Sequence, residues 1–207
     1  MITTQSINGF KKMALVLALC FFLQRSPLRA QVQYEGTTVV GSEASALGLV
    51  TTAFGNFSFA TGWATNAYGQ GSIALGGATS ASGMYSTSSG YGSTASGNYS
   101  SASGLYTNTS SYASFVIGQN NLGTGSDGSA SSTTSWVATD PLFEIGNGTI
   151  TGAYGWALGT PSDALVVYKN GNTTVGGTLS VSGTTASAFA GPVNVAPGGD
   201  IPMFTGD

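Results

Sequence analysis

Asp140 and Glu144 stand four residues apart in the stretch TDPLFEIG. Two carboxylates at a suitable separation can hydrolyse a glycoside, one as acid and the other as base or nucleophile. Most other enzyme chemistry lacks its side chains here. The 207 residues contain no histidine, and the one cysteine, Cys20, and both arginines, Arg25 and Arg29, lie within the first thirty positions. Nucleophilic triads, proton shuttles and zinc sites mostly require those groups. Without such partners, Asp140 and Glu144 read as solvated acids at strand ends. Asp127 in GSDGS could contribute one oxygen to Ca²⁺, but a cation site needs several convergent oxygens. The expectation is a non-enzyme with no catalytic residue, no cofactor and no metal.

The aromatic residues offer recognition rather than catalysis. Trp63, Tyr85, Tyr91, Tyr99, Tyr106 and Tyr112 each fall one or two residues after a position of a regular series. Exposed tyrosines suit contact with proteins or sugars, because each joins an apolar ring to a polar tip. Packing between rungs or between copies of the chain would use the same residues. These six are the candidate ligand contacts.

What must position them is a repeat. Glycine recurs at 41, 48, 55, 62, 69, 76, 83, 90, 97 and 104, Ser111 interrupts, and Gly118 resumes. Alanine or serine stands two residues before each glycine from Gly48 to Gly104, and serine or threonine four residues before most of them, giving [S/T]-x-A-x-G-x-x. A flexible linker has no reason to keep this phase. A coiled coil would need large apolar residues at two heptad positions and few glycines. Offsets of two place Ser/Thr, Ala and Gly on one face of an extended segment. A short strand and a glycine-permitted corner therefore fill seven residues, and two such units make a rung of fourteen. Rungs about 4.8 Å apart stack into a parallel β-solenoid, each touching only its neighbours. The other face carries Phe54, Phe59, Tyr68, Ile73 and Leu75 early and Phe115, Val116 and Ile117 late, with Ser, Thr and Asn between. Which face is interior stays open.

From Gly41 to about Asn121 these repeats resemble the heads of trimeric autotransporter adhesins of the YadA type. The resemblance implies a left-handed parallel β-roll, association of three chains, and display on a bacterial surface. SYASFVIGQNN (Ser111 to Asn121) is similar to the closing repeat of such a head. WVATDPLFEIGNGT and DALVVYKNGNTTVGGTLSVSG look like segments of bacterial tail-fibre-like surface proteins.

The flanks complete the organisation. Lys11 and Lys12 precede the apolar run MALVLALCFFL, and a small residue, Ala30, ends the polar exit, which describes a secretory signal peptide over 1–30. Its loss leaves Lys169 against eight acidic side chains, a net charge of −7. Nucleic-acid binding needs clustered Lys and Arg and is excluded. The apolar run is too short to span a bilayer, so no membrane span is expected in the mature chain. The roll head occupies 31–122, a Gly/Ser/Thr linker 123–135, a β module 136–183 and a Pro/Gly-rich tail 184–207. Within the module, Asn170-Gly171 predicts a type I′ hairpin between LVVYK and NTTV, and PLFEIG a further strand. The fold class is all-β. The expected function is a secreted or cell-surface adhesin-like homotrimer that makes multivalent contacts with a host, matrix or cell-surface protein or glycan. The alternative is a structural fibre or envelope spacer without a specific ligand.

Overall fold

A computed structural model describes residues 36–126, 128–151 and 157–179. The chain divides into two compact units, Met1–Gly176 and Gly177–Asp207, and every strand among the described residues belongs to the first. Residues 1–30, expected to be a signal peptide, Asp127 and the expected tail over 184–207 lie outside the described residues, and TLSVSG runs out of them after Leu179. Among the described residues there is no helix, so none is long and apolar enough to cross a membrane.

Each fourteen-residue rung supplies one five-residue strand and one two-residue strand. The long strands are β2 (Ser45–Leu49), β4 (Phe59–Trp63), β6 (Ile73–Gly77), β8 (Thr87–Tyr91), β10 (Ser101–Leu105) and β12 (Phe115–Gln119). The short ones are β1 (Thr38–Val39), β3 (Thr52–Ala53), β5 (Asn66–Ala67), β7 (Ser80–Ala81), β9 (Thr94–Ala95) and β11 (Asn108–Thr109). Long strands pair in parallel with long and short with short, in register, so that Ala46, Ala60, Ala74, Ser88, Ala102 and Val116 form one column. This is the β-solenoid of about six turns that the seven-residue phase predicts.

The small face is the interior. Ala53, Ala67, Ala81 and Ala95 make a second buried column, and the Ser/Thr positions complete it, from Thr51 and Ser58 to Thr107 and Ser114. Alanine fits because the two sheets lie close together, and the like residues of successive rungs stack. Ser86 donates its hydroxyl to the Gly83 carbonyl at 2.7 Å, and Thr107 donates to Ser93 Oγ at 2.8 Å. The equivalent hydroxyls of Thr51, Ser58, Thr65, Ser72 and Thr79 find no partner.

The glycines answer to close approach more than to cornering. Gly62 has φ +126°, and a Cβ there would fall on the carbonyl oxygen of Gly76 in the next rung. The left-handed corner lies two residues after each glycine, and non-glycine residues often occupy it: Ala64 (φ 54°), Tyr85 (φ 53°) and Tyr106 (φ 54°). Ser111 ends its glycine column because β11 is the last strand of the short-strand sheet. No further rung presses on it there, and its Oγ accepts a hydrogen bond from Lys169 Nζ at 2.7 Å.

The later strands continue the roll's own sheet. β13 (Pro141–Asn147) pairs in parallel with β12, Phe115 opposite Phe143 and Gly118 opposite Gly146. A seventh long strand therefore follows an excursion of the chain. β16 (Asp163–Tyr168) then pairs antiparallel with β13, and β17 (Thr173–Val175) with β16. β14 (Ile150–Thr151) and β15 (Ala157–Leu158) form a separate pair. The β16–β17 hairpin is present with a different turn. Only Gly171 (φ 87°) has positive φ, and Tyr168 N–H bonds the Asn172 carbonyl at 2.8 Å, enclosing a three-residue loop. A type I′ turn needs both central residues at positive φ. The end of the expected linker lies against the roll: the Thr133 and Ser132 carbonyls accept from Asn98 N–H and Tyr112 N–H, each at 2.8 Å.

Candidate functional site: the aromatic corners and the closed end

Corners alternate with each seven residues, so the six aromatic candidates fall into two stacks on different corners. Tyr85, Tyr99 and Tyr112 share one. Tyr85 and Tyr99 lie nearly parallel with centroids 5.8 Å apart, and Tyr99 meets Tyr112 edge-on at 5.5 Å. Trp63, Tyr91 and Tyr106 occupy the other. Trp63 stacks on Tyr91 at 6.4 Å, and Tyr91 meets Tyr106 at 86° and 5.7 Å. Such pairs add stability beyond their buried area. Glycine makes room for the rings: a Cβ on Gly71 would come 2.5 Å from Tyr85, and one on Gly77 2.8 Å from Tyr91. Tyr85 and Tyr99 remain about half exposed (51% and 52%), and Trp63 is exposed too. Burial first, and then the adjacent Tyr106 phenol, hold the Tyr91 hydroxyl above the ordinary tyrosine range.

Two aromatic positions stand outside the six candidates. Phe57 occupies the same corner column as Tyr85, two residues after Gly55 as Tyr85 is after Gly83, so the spacing alone identifies it. Trp136 shares a cation with the first stack: Lys169 Nζ sits 5.2 Å from its ring and 5.9 Å from that of Tyr112. Around the first rungs, Leu47, Leu49, Val50, Phe54, Phe59 and Ile73 point outward and are exposed.

The carboxylates are not solvated. Asp140 and Glu144 are 1% and 2% exposed. Each has its own partners. Asp140 accepts from Ser132 N–H at 2.9 Å and lies 3.8 Å from Lys169 Nζ. Burial pulls Lys169 below the ordinary lysine range, and the Asp140 charge opposes that pull. Glu144 takes the interior place above Val116, where the column turns from apolar to acidic. Burial raises its pKa to about 7. The Asn121 amide and the Gly123 backbone N–H oppose the rise, whereas the Asp163 charge adds to it. Asn121 Nδ2 donates to Glu144 Oε2. Gln119 and Asn120 complete this closed end, donating to the carbonyls of Gly148 and Thr149 at 2.8 Å. The run Gln119–Asn120–Asn121 thus seals the last rung. Among the described residues, no three acids, histidines or cysteines group as metal ligands would.

The geometry defines a parallel β-solenoid with a small-residue interior and aromatic corners. Residues 67–93 and 81–107 each match the family model of the YadA head domain repeat, two copies offset by one rung. This stretch carries YadA head repeats, as the resemblance of the sequence implies. The match ends at 107 and leaves the tail-fibre-like segments without support. No curated protein and no solved structure matches the chain.

Proposed function

We propose that this chain is an adhesin-like protein of a bacterial surface, secreted through its N-terminal segment and working without catalysis. Three copies associate into one head, and each roll presents its aromatic corners to a host, matrix or cell-surface protein or glycan. The observation that carries this reading is the pair of half-exposed aromatic stacks built on YadA head repeats. The exposed apolar side chains around the first rungs support self-association, since a monomer would leave them in water. Three copies would carry six aromatic stacks in one head, and linked weak contacts gain avidity without new bonds.

The rung-to-rung stacking of the tyrosines favours a second reading, a structural spacer whose rings only brace the roll. An adhesion screen separates the two. The purified chain and a Tyr85→Ser/Tyr99→Ser variant are applied to immobilised matrix proteins and to cells. Adhesion by the parent chain that falls at least about tenfold in the variant, with circular dichroism unchanged, supports the adhesin. Equal retention of both at background level supports the spacer.

A further inference from the structure

Beside the second aromatic corner, the short-strand face of the last rungs borders a groove of about 530 Å³, within the range of small-molecule sites. Tyr106 forms one side, lying over Gly92, whose lack of a side chain leaves room for the ring. Thr94, Ser96 and Asn108 project outward from the strands and their ends. Leu158 and Pro161 lie on the apolar side. Thr94, Ser96 and Asn108 spend only their backbone groups on the fold. Asn108, for example, gives its N–H and carbonyl to Asn121 and keeps its own amide free. No charged side chain lines the groove. Two carboxylates bonded to lining residues are engaged there: Glu144 takes the Asn121 amide, and Asp163 Oδ1 accepts Leu122 N–H at 3.1 Å.

We propose that this groove binds a short neutral saccharide, with a sugar ring against Tyr106 and its hydroxyls on Asn108, Thr94 and Ser96. A sugar has an apolar ring face and an equatorial fringe of donors and acceptors. An aromatic side chain next to a free carboxamide and two hydroxyls presents the complement of both. An acidic sugar finds no cation here and meets Asp163 behind the Leu122 wall. A cationic ligand finds no free carboxylate. This inference rests on the contact-making function proposed above and names the ligand class for one of its two corners.

The test uses the full chain with maltotriose, mannotriose, N-acetyllactosamine and, as an acidic probe, 3′-sialyllactose, each at about 10 mM. Binding is read by saturation transfer to the sugar and by the Asn108 side-chain amide signals. Two variants borrow residues the roll already carries in the same columns, so both fit the fold: Tyr106→Gly, as at Gly92, and Asn108→Ser, as at Ser80. The expected result is saturation of at least one neutral sugar with movement of the Asn108 amide, weakened about tenfold or more in either variant. The proposal is overturned if no neutral sugar saturates, if both variants bind as the parent does, or if only the sialylated probe binds. A chain that adheres in the screen above yet saturates no sugar would remove this groove and leave the adhesin reading standing.

Discussion

Asn121 gives the backbone of Asn108 both hydrogen bonds that another rung would have given it. Its Oδ1 accepts from Asn108 N–H at 2.7 Å, and its Nδ2 donates to the Asn108 carbonyl at 2.8 Å. One carboxamide thus substitutes for a strand at an edge that would otherwise stand open. Asn121→Ala leaves both backbone groups without a partner and Glu144 with the Gly123 N–H but no carboxamide, at a cost of about 2 kcal/mol. Hydrogen exchange should speed up first at Asn108 and its neighbours, while the amides of β4 and β6 keep their protection.

Glu144 makes stability depend on pH. The folded chain holds the carboxyl proton up to about 7, whereas the unfolded chain releases it in the ordinary glutamate range. Between those limits the unfolded state binds fewer protons, so stability falls as pH rises. The contribution is fully present below the ordinary range and lost above about pH 7, a difference of about 3 kcal/mol. Denaturant midpoints should be higher at pH 5 than at pH 8. Glu144→Gln should flatten most of that slope, leaving the smaller one that Asp163 adds, since burial raises its pKa too.

Corner and approach positions should both favour glycine over alanine, but by very different amounts. Ala78 sits at φ 52° with its N–H bonded to the Trp63 carbonyl at 2.7 Å. Ala78→Gly relieves the left-handed strain and should stabilise by about 1 kcal/mol. Gly62→Ala drives a Cβ into the Gly76 carbonyl and should prevent the two rungs from pairing. Thermal unfolding followed by circular dichroism reads both.

How much of this the sequence shows depends on its periodicity. The phase from Gly41 to Gly118 encodes the rung length, the register and the absence of helix, because each rung repeats one steric problem. The seventh long strand is harder to see. Phe143-x-Ile145-Gly146 repeats Phe115-x-Ile117-Gly118, but twenty-eight residues on, since an excursion takes the place of a rung. Glu144 reads as a surface acid because charge is seldom buried, and only its register opposite Val116 reveals the interior place. The tyrosines read as one series, whereas the three-dimensional turn sends alternate heptads to opposite corners. The uniformly small face suggests close packing, but the apolar residues opposite leave the interior open until two sheets meet across it.

Interior hydroxyls should differ along the roll. Thr65 is buried without a hydrogen-bond partner, so Thr65→Val removes a desolvation cost and should be neutral or stabilising by about 1 kcal/mol. Thr107 donates to Ser93, and Thr107→Val should cost about 1 kcal/mol. Chemical denaturation of the two variants beside the parent measures the contrast.

The most direct test of the proposed adhesin head is the solution mass of residues 31–207 by light scattering, with circular dichroism on the same sample. The account predicts a β-rich species of three times the protomer mass. A β-rich monomer would contradict the trimeric head while leaving the solenoid intact.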